Sequence, residues 1–220
     1  MTSINKILFL FLSSAFINCQ GPDNCIPNLN QLPEYGRQKK CQEEINIDTD
    51  FISSCDKDFK DRKTAAKYYV TRAWDYFNLG KLDTAMFRFN QAWMLDSTNA
   101  DIYWGFGNIL GMKKQFNESI HFFEKSIKIN PTSPIVFECI SKSYCQLFVK
   151  DTIMDNLEKA ISYLKTSIAM NPNVARTYGN LTGLYIYYLQ KDSANKYLAI
   201  TDKLDSSAVN PEVRAILTKD

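Results

Sequence analysis

From residue 64 to the end of the chain, large and small side chains recur at helical spacing. Within residues 85–107, Phe89 lies between Ala85 and Ala92, and after a short turn Gly107 lies four residues beyond Tyr103. Residues that recur at intervals of three and four share one face of an α-helix. Small residues beside large ones on such faces let two helices approach closely. The pattern therefore predicts helices that pack in pairs, and pairs that stack.

The helix-ending residues divide this region into nine predicted helices. Gly80 ends one helix, because glycine readily takes the left-handed conformation found after helix C-termini. Pro131 ends another, and Ser133 with Pro134 is a typical helix start. We place the helices near residues 64–79, 82–95, 99–113, 116–129, 134–148, 156–170, 173–189, 193–204 and 211–219. The predicted fold class is all-α.

The helix pairs repeat with a period of about 34 residues. In the copy at residues 100–133, Tyr103, Gly107, Phe123 and Pro131 stand at positions that resemble the tetratricopeptide repeat (TPR) family. Further copies lie at 66–99, 134–174 and 175–208, the third with about seven extra residues between its helices, around 149–156. The resemblance implies a right-handed solenoid of about four repeats over residues 64–220, with a capping helix at 211–219.

The first 18 residues have the composition of a secretory signal peptide. Lys6 precedes an apolar run that is too short to span a bilayer as a helix. Residues 16–19 resemble a bacterial lipobox, which implies that Cys19 carries a lipid such as palmitate and anchors the protein in the cell envelope. Asn18 departs from the usual Gly, Ala or Ser. The alternatives are cleavage after Ala15, giving a secreted or periplasmic soluble protein, and an uncleaved anchor.

Residues 19–63 differ in kind from the repeats. Pro22, Pro27 and Pro33 interrupt any helical period, and Gly36 follows them. This segment is therefore predicted to be a tether followed by an irregular N-terminal cap, with one short helix near residues 37–44.

Three cysteines lie in this segment, at Cys25, Cys41 and Cys55. In an exported protein, clustered cysteines in a loop-rich segment favour a disulfide. The predicted pair is Cys41 with Cys55, because closing a loop of about 15 residues contributes roughly 3 kcal/mol. Free thiols are the alternative. A zinc site is not expected, because the chain has no CxxC motif and its single histidine, His121, is distant in sequence.

Four short stretches also resemble a group of exported bacterial TPR proteins of unknown function. They are LPEYG at 32–36, DFI at 50–52, AMFRFNQAW at 85–93 and DIYWGFG at 101–107. This resemblance implies a bacterial source and no particular activity.

The composition argues against catalysis and against nucleic-acid binding. His121 has no cysteine or carboxylate at ligand spacing, and no phosphate-binding loop, nucleophile elbow or HExxH motif occurs. The formal net charge is only +2, whereas nucleic-acid-binding proteins usually carry a strong basic face. We therefore expect no enzyme activity, no cofactor, no metal and no nucleic-acid partner.

The TPR resemblance implies that certain positions of each first helix line a concave groove. Tryptophan and tyrosine there are favoured in binding hot spots, because they bury much area and keep a polar group. The predicted peptide-binding residues are Trp74, Phe77, Asn78, Trp104, Asn108, Met112, Lys142, Arg176 and Tyr187. The alternative is that Trp74 and Trp104 are core residues buried against an N-terminal cap that fills the groove.

The carboxylate clamp of chaperone-tail-binding TPR domains is not expected. Asn108 and Lys142 match part of it, but Val70 and Trp74 stand where Lys and Asn are needed. The sequence thus predicts a non-enzymatic, membrane-tethered adaptor that holds a protein or peptide partner in its groove. A structural, self-associating component of a cell-envelope assembly is the alternative, and the oligomeric state stays open.

Overall fold

The computed structural model describes residues 25–218, which form ten α-helices and contain no β-strand. The signal-peptide and Cys19 predictions concern residues outside this range. Among the helices of residues 25–218, none combines the length and the hydrophobicity that a membrane span requires. The helices are α1 (Gln42–Asp58), α2 (Arg62–Asn78), α3 (Leu82–Leu95), α4 (Ala100–Met112), α5 (Phe116–Ile129), α6 (Pro134–Asp151), α7 (Met154–Met170), α8 (Ala175–Tyr187), α9 (Lys191–Asp205) and α10 (Pro211–Thr218), with short 3-10 helices at Leu29–Gln31, Pro33–Arg37 and Ser206–Ala208.

Helices α2 to α9 form four hairpins, α2–α3, α4–α5, α6–α7 and α8–α9, and each hairpin packs on the next. The predicted all-α solenoid of about four helical repeats is confirmed. Helices α3 and α5 have the predicted bounds residue for residue, and α2, α4 and α6 to α9 differ by at most three residues at either end.

Six of the residues 149–156 are helical, so the prediction that the extra residues of the third hairpin lie between its helices is wrong. Helix α6 has 18 residues and α7 has 17, whereas α4 has 13 and α5 has 14. Only Thr152 and Ile153 separate α6 from α7. Thr152 has a left-handed φ of 57°, the conformation that commonly ends a helix. The insertion therefore lengthens both helices by about one turn each.

Aromatic rings seated against glycines hold the second hairpin together and join it to the first. Phe89 of α3 is fully buried, and a Cβ at Gly105 of α4 would lie 2.1 Å from its ring carbon Cζ. In the second hairpin a Cβ at Gly107 would lie 2.5 Å from the ring of Phe123. Any side chain at these two positions would push the helices apart. The alternation of large and small residues in the sequence is therefore a packing requirement.

The N-terminal segment contains a full helix that the sequence did not reveal. We predicted a short helix near residues 37–44, but α1 runs over Gln42–Asp58. Its contacts with α2 are few: Phe51 packs on Tyr69, Cys55 is buried against α2, and Phe59, which directly follows α1, packs on Tyr68. Because its apolar stripe is so thin and the rest of its surface is polar, α1 lacks the periodicity of a core helix.

The predicted Cys41–Cys55 disulfide is wrong, because Cys41 is bonded to Cys25. Cys41 immediately precedes α1 and Cys55 lies near the end of that helix. Fourteen residues at a helical rise of 1.5 Å separate them by about 20 Å, whereas bonded cysteines have Cα atoms within about 7 Å. Cys55 is instead a buried free thiol packed against α2 residues, and burial raises its pKa.

Residues 29–40, which we call the strap, lie along α3. The amide of the fully buried Asn90 donates hydrogen bonds to the backbone oxygens of Asn30 and Leu32, at 3.1 and 2.8 Å. Tyr35 of the strap is buried and its ring meets Trp93 edge-on. These contacts hold the strap on the face of the first two hairpins that is formed by their second helices, α3 and α5.

A buried carboxylate fixes the middle of the strap. Glu34 is only 4% exposed and accepts hydrogen bonds from Lys125 of α5 and from Arg37, at 2.8 and 2.6 Å. Burial acts to raise the pKa of Glu34, but these hydrogen bonds and charges outweigh it and the pKa is lowered. Residues 34–37 all have left-handed φ values of 53–60°, which are unfavourable for Glu34, Tyr35 and Arg37. The buried contacts hold this strained turn in place.

The segment after α9 folds back across α8. A Cβ at Gly179 would lie 2.6 Å from the backbone oxygen of Ala208, so the backbones approach as closely as glycine allows. Arg214 of α10 then pairs with Asp202 of α9, with hydrogen bonds of 2.5 and 3.1 Å. The C-terminal helix therefore covers the last hairpin.

Two glycines one helical turn apart test this packing. Gly179→Ala should destabilise the protein by about 1–3 kcal/mol, because the new methyl group would meet backbone that cannot move freely. Gly183→Ala should stabilise it by up to about 1 kcal/mol, because alanine favours a helix and its nearest neighbour, Val213, would be 3.6 Å away. Thermal unfolding followed by circular dichroism measures both. A Gly179→Ala variant as stable as Gly183→Ala would contradict the described crossing.

Candidate binding groove

Two adjoining cavities open between the first helices of successive hairpins, and we call them together the groove. The first has a volume of about 520 Å³ and is lined mainly by α4, α5 and α6, with Phe77 from the end of α2. The second has a volume of about 680 Å³ and is lined mainly by α6 and α8, with Val213 from α10. Cys139, Lys142 and Gln146 of α6 line both cavities. Helix α6 is therefore the shared wall of one extended concave surface.

The structure brings six of the nine predicted binding residues to this groove. The first cavity contains Phe77, Asn108, Met112 and Lys142, and the second contains Lys142, Arg176 and Tyr187. Asn78, Trp74 and Trp104 line neither cavity. Whether any of the nine contacts a partner stays a prediction.

Trp74 and Trp104 form a cluster of tilted rings behind Phe77, with 50° between the two indole planes, which we call the aromatic stack. Their ring centroids are 4.5 Å apart, and Trp74 lies 5.3 Å from both Phe77 and Phe89. Both tryptophans are half-buried and pack against the apolar core. The buried indole N–H of Trp104 has no hydrogen-bond partner among the described residues. The stack thus supports the wall of the first cavity from within.

The charge of Arg176 is already engaged inside the groove. Its guanidinium lies 2.9 Å from the carboxylate of Glu138, whose side chain is 10% exposed. The hydroxyl of Thr177 donates a second hydrogen bond to the same carboxylate, at 2.6 Å. The sequence placed Arg176 in the groove but gave no sign of this pairing, because Glu138 lies 38 residues away.

The two thiols of α6 are not bonded to each other. Cys139 lines both cavities and Cys145 lines the second. Burial raises the pKa of both thiols, so they are protonated and poorly nucleophilic at neutral pH. They contribute apolar surface to the groove.

Several groove residues were missed because they lie outside the first helices of the repeats, among them Phe116, Ala208 and Val213. Phe116 begins α5, and Ala208 and Val213 belong to the segment that folds back over α8. The TPR resemblance assigns groove positions only to first helices, and Phe116 belongs to a second helix. The C-terminal residues carry no sequence signal, since their position depends on the close approach at Gly179.

The described N-terminal residues do not fill the groove. The residues that line its two cavities begin at Phe77, and the strap instead packs on α3 and α5 through Asn90 and Lys125. For residues 25–63, the alternative of a groove filled by the N-terminal cap is therefore wrong.

Residues 100–133, which form the α4–α5 hairpin, match the family model described as tetratricopeptide repeat. The α4–α5 hairpin is a tetratricopeptide repeat, and the stacked hairpins around it share the tetratricopeptide repeat fold. No protein with a curated description matches the chain.

Several solved structures share the TPR solenoid. The crystal structure of MamA has a TM-score of 0.58 at 18% identity, covering 71% of this chain and 85% of that one. TTC0263, a thermophilic TPR protein of Thermus thermophilus, has a TM-score of 0.58 at 18% identity, with coverages of 69% and 79%. The APC/C hetero-tetramer Cut9–Hcn1 matches at 0.60 and 12% identity, with coverages of 70% and 29%. At these identities the likeness establishes the fold alone.

Replacing Trp104 tests whether the aromatic stack supports this TPR domain. Trp104→Ala should cost about 2 kcal/mol of unfolding free energy, because a half-buried ring loses roughly half of the 3–5 kcal/mol typical of a core aromatic. Phe123→Ala is the control and should lose the full amount, since Phe123 is only 2% exposed. Melting temperatures would fall by about 2–4 °C per kcal/mol. A Trp104→Ala variant that melts with the wild type would show that the stack carries no packing energy.

Proposed function

We propose that this protein is a non-enzymatic adaptor that holds a segment of a partner protein in its groove. The observation that carries the proposal is the exposure of large apolar side chains at the cavities. Met112 is 62% exposed and Tyr187 is 57% exposed, although each lines a concave surface. Apolar side chains in a concave site with a few polar groups are typical of binding surfaces.

The TPR fold supports the same proposal, because it is a fold of protein–protein interaction. A solenoid stacks its repeats in one dimension and so presents an extended concave surface. An extended or helical peptide would bury Phe77, Met112 and Tyr187, while Lys142 would contribute a charged contact. Trp74 and Trp104 would hold Phe77 in place, which gives these two tryptophans an indirect part in binding.

Site-specific photocrosslinking in cells, followed by affinity measurement, tests the groove. A benzophenone amino acid at position 112 should give an adduct with one partner, and the same group at Ile129 should not. Ile129 lies at the end of α5, is 43% exposed and lines neither cavity. With the partner purified, Met112→Glu should weaken binding at least about tenfold, which is typical of a hot-spot residue, and Ile129→Glu should leave it unchanged.

Two outcomes would overturn the groove as the binding surface. Equal losses of affinity for Met112→Glu and Ile129→Glu would place the interface elsewhere on the solenoid. Adducts formed only between two copies of this chain would favour the self-associating structural component instead.

We further propose that Cys19 is lipidated and tethers the domain to a membrane. The support is the apolar run that ends at a lipobox-like sequence. Only five residues lie between Cys19 and Cys25, so the Cα atoms of these two cysteines are at most about 20 Å apart. A lipid at Cys19 would therefore keep the solenoid close to the bilayer surface.

Replacing the cysteine tests the tether. Cys19→Ala should move the protein from the membrane pellet to the soluble fraction, because it removes the acylation site and leaves the described domain unchanged. Cys55→Ala is the control and should remain in the pellet. Intact mass of the mature chain distinguishes a lipidated Cys19 from cleavage after Ala15. A soluble wild-type protein, or a Cys19→Ala variant that stays in the pellet, would refute the tether.

A further inference from the structure

The groove has an excess of positive charge that the rest of the chain does not share. Its lining residues include three cations, Lys114, Lys142 and Arg176, and a single carboxylate, Glu138. The whole chain carries a formal net charge of only +2. The groove is therefore basic because of where these side chains lie, and not because the protein is basic overall.

Two of these cations are available to a ligand. Arg176 and Glu138 form an ion pair at 2.9 Å, so their opposite charges largely cancel. Lys114 and Lys142 are exposed and form no ion pair with any described residue. Lys142 lines both cavities, and Lys114 lines the first. A ligand in the groove therefore meets two unpaired ammonium groups, one of them at the junction of the cavities.

Apolar surface lies on either side of this junction. In the first cavity it comes from Phe77, Met112 and Phe116. In the second it comes from Leu184 and Tyr187 of α8, together with a C-terminal valine. The order along the groove is therefore apolar, basic, apolar.

We propose that the partner segment is an internal, acidic peptide in which an Asp or Glu side chain is flanked by apolar residues. This proposal rests on the groove being the binding surface. The carboxylate would pair with Lys142 and Lys114, and the apolar side chains would enter the two cavities. Complementary charge of this kind gives specificity, because a lysine in place of the carboxylate would be repelled.

The same geometry disfavours a phosphate in this position. Arginine is the side chain that binds phosphate in bidentate fashion, but Arg176 is already engaged by Glu138. A terminal carboxylate clamp is also absent from the described first hairpin, because Val70 is 7% exposed and Trp74 is packed in the aromatic stack.

Selection from a random 12-residue peptide library on phage, using the purified full chain, tests this chemistry. The wild type should enrich peptides with Asp or Glu between apolar residues, and synthetic versions should bind about tenfold more tightly than versions with Lys at that position. Lys142→Glu should reverse this preference, because it inverts the charge at the junction. Lys128→Glu, an exposed lysine of α5 outside the groove, should behave like the wild type.

The proposal is overturned if the enriched peptides show no excess of acidic residues, if no peptide is enriched, or if Lys142→Glu keeps the acidic preference. These results are separable from failure of the groove itself. A partner that crosslinks at position 112 and loses affinity on Met112→Glu, without an acidic preference, would leave the groove in place and refute only the chemistry of its ligand. Enrichment of phosphate-free acidic peptides excludes a requirement for phosphorylation.

Discussion

The contact between Phe89 and Gly105 sets the geometry on which the rest of the molecule depends. The ring of a fully buried phenylalanine lies where a Cβ at position 105 would be, so α4 can pack on this ring only with a glycine at that position. Phe89 also packs on Trp74, and Trp74 packs on both Trp104 and Phe77. Through these ring contacts, the distance between the first two hairpins also determines where Phe77 lies in the wall of the first cavity.

The sequence was most informative where packing is regular. Helices α3 and α5 were located residue for residue, because their small and large positions must alternate for hairpins to stack. It was least informative in the N-terminal segment, where α1 buries little apolar surface and so shows almost no period. The cysteine pairing failed for the same reason. Without knowing that a helix separates Cys41 from Cys55, spacing alone favoured a pair that the helix makes impossible.

The candidate site could be predicted only in part from the sequence, and there is a physical reason why the other part could not. Positions such as Phe77, Met112 and Tyr187 follow from the phase of the repeat, since each first helix presents the same face to the groove. The burial of Trp74 and the pairing of Arg176 with Glu138 depend on contacts between different repeats. The second cavity depends further on a backbone crossing at Gly179 that belongs to no repeat. Contacts between repeats, and the crossing at Gly179, arise only when the whole domain is packed, so the sequence of a single repeat does not predict them.

The Cys25–Cys41 bond also determines how a mechanical load would enter the domain. Tension applied to the chain before Cys25 passes through the sulfur–sulfur bond to Cys41, and residues 26–40 bear none of it. The load reaches the first turn of α1 and then α2 through the contacts of Phe51 and Phe59. Pulling would therefore load the contact between α1 and α2, while the left-handed turn at residues 34–37 and its contacts with α3 would carry no tension.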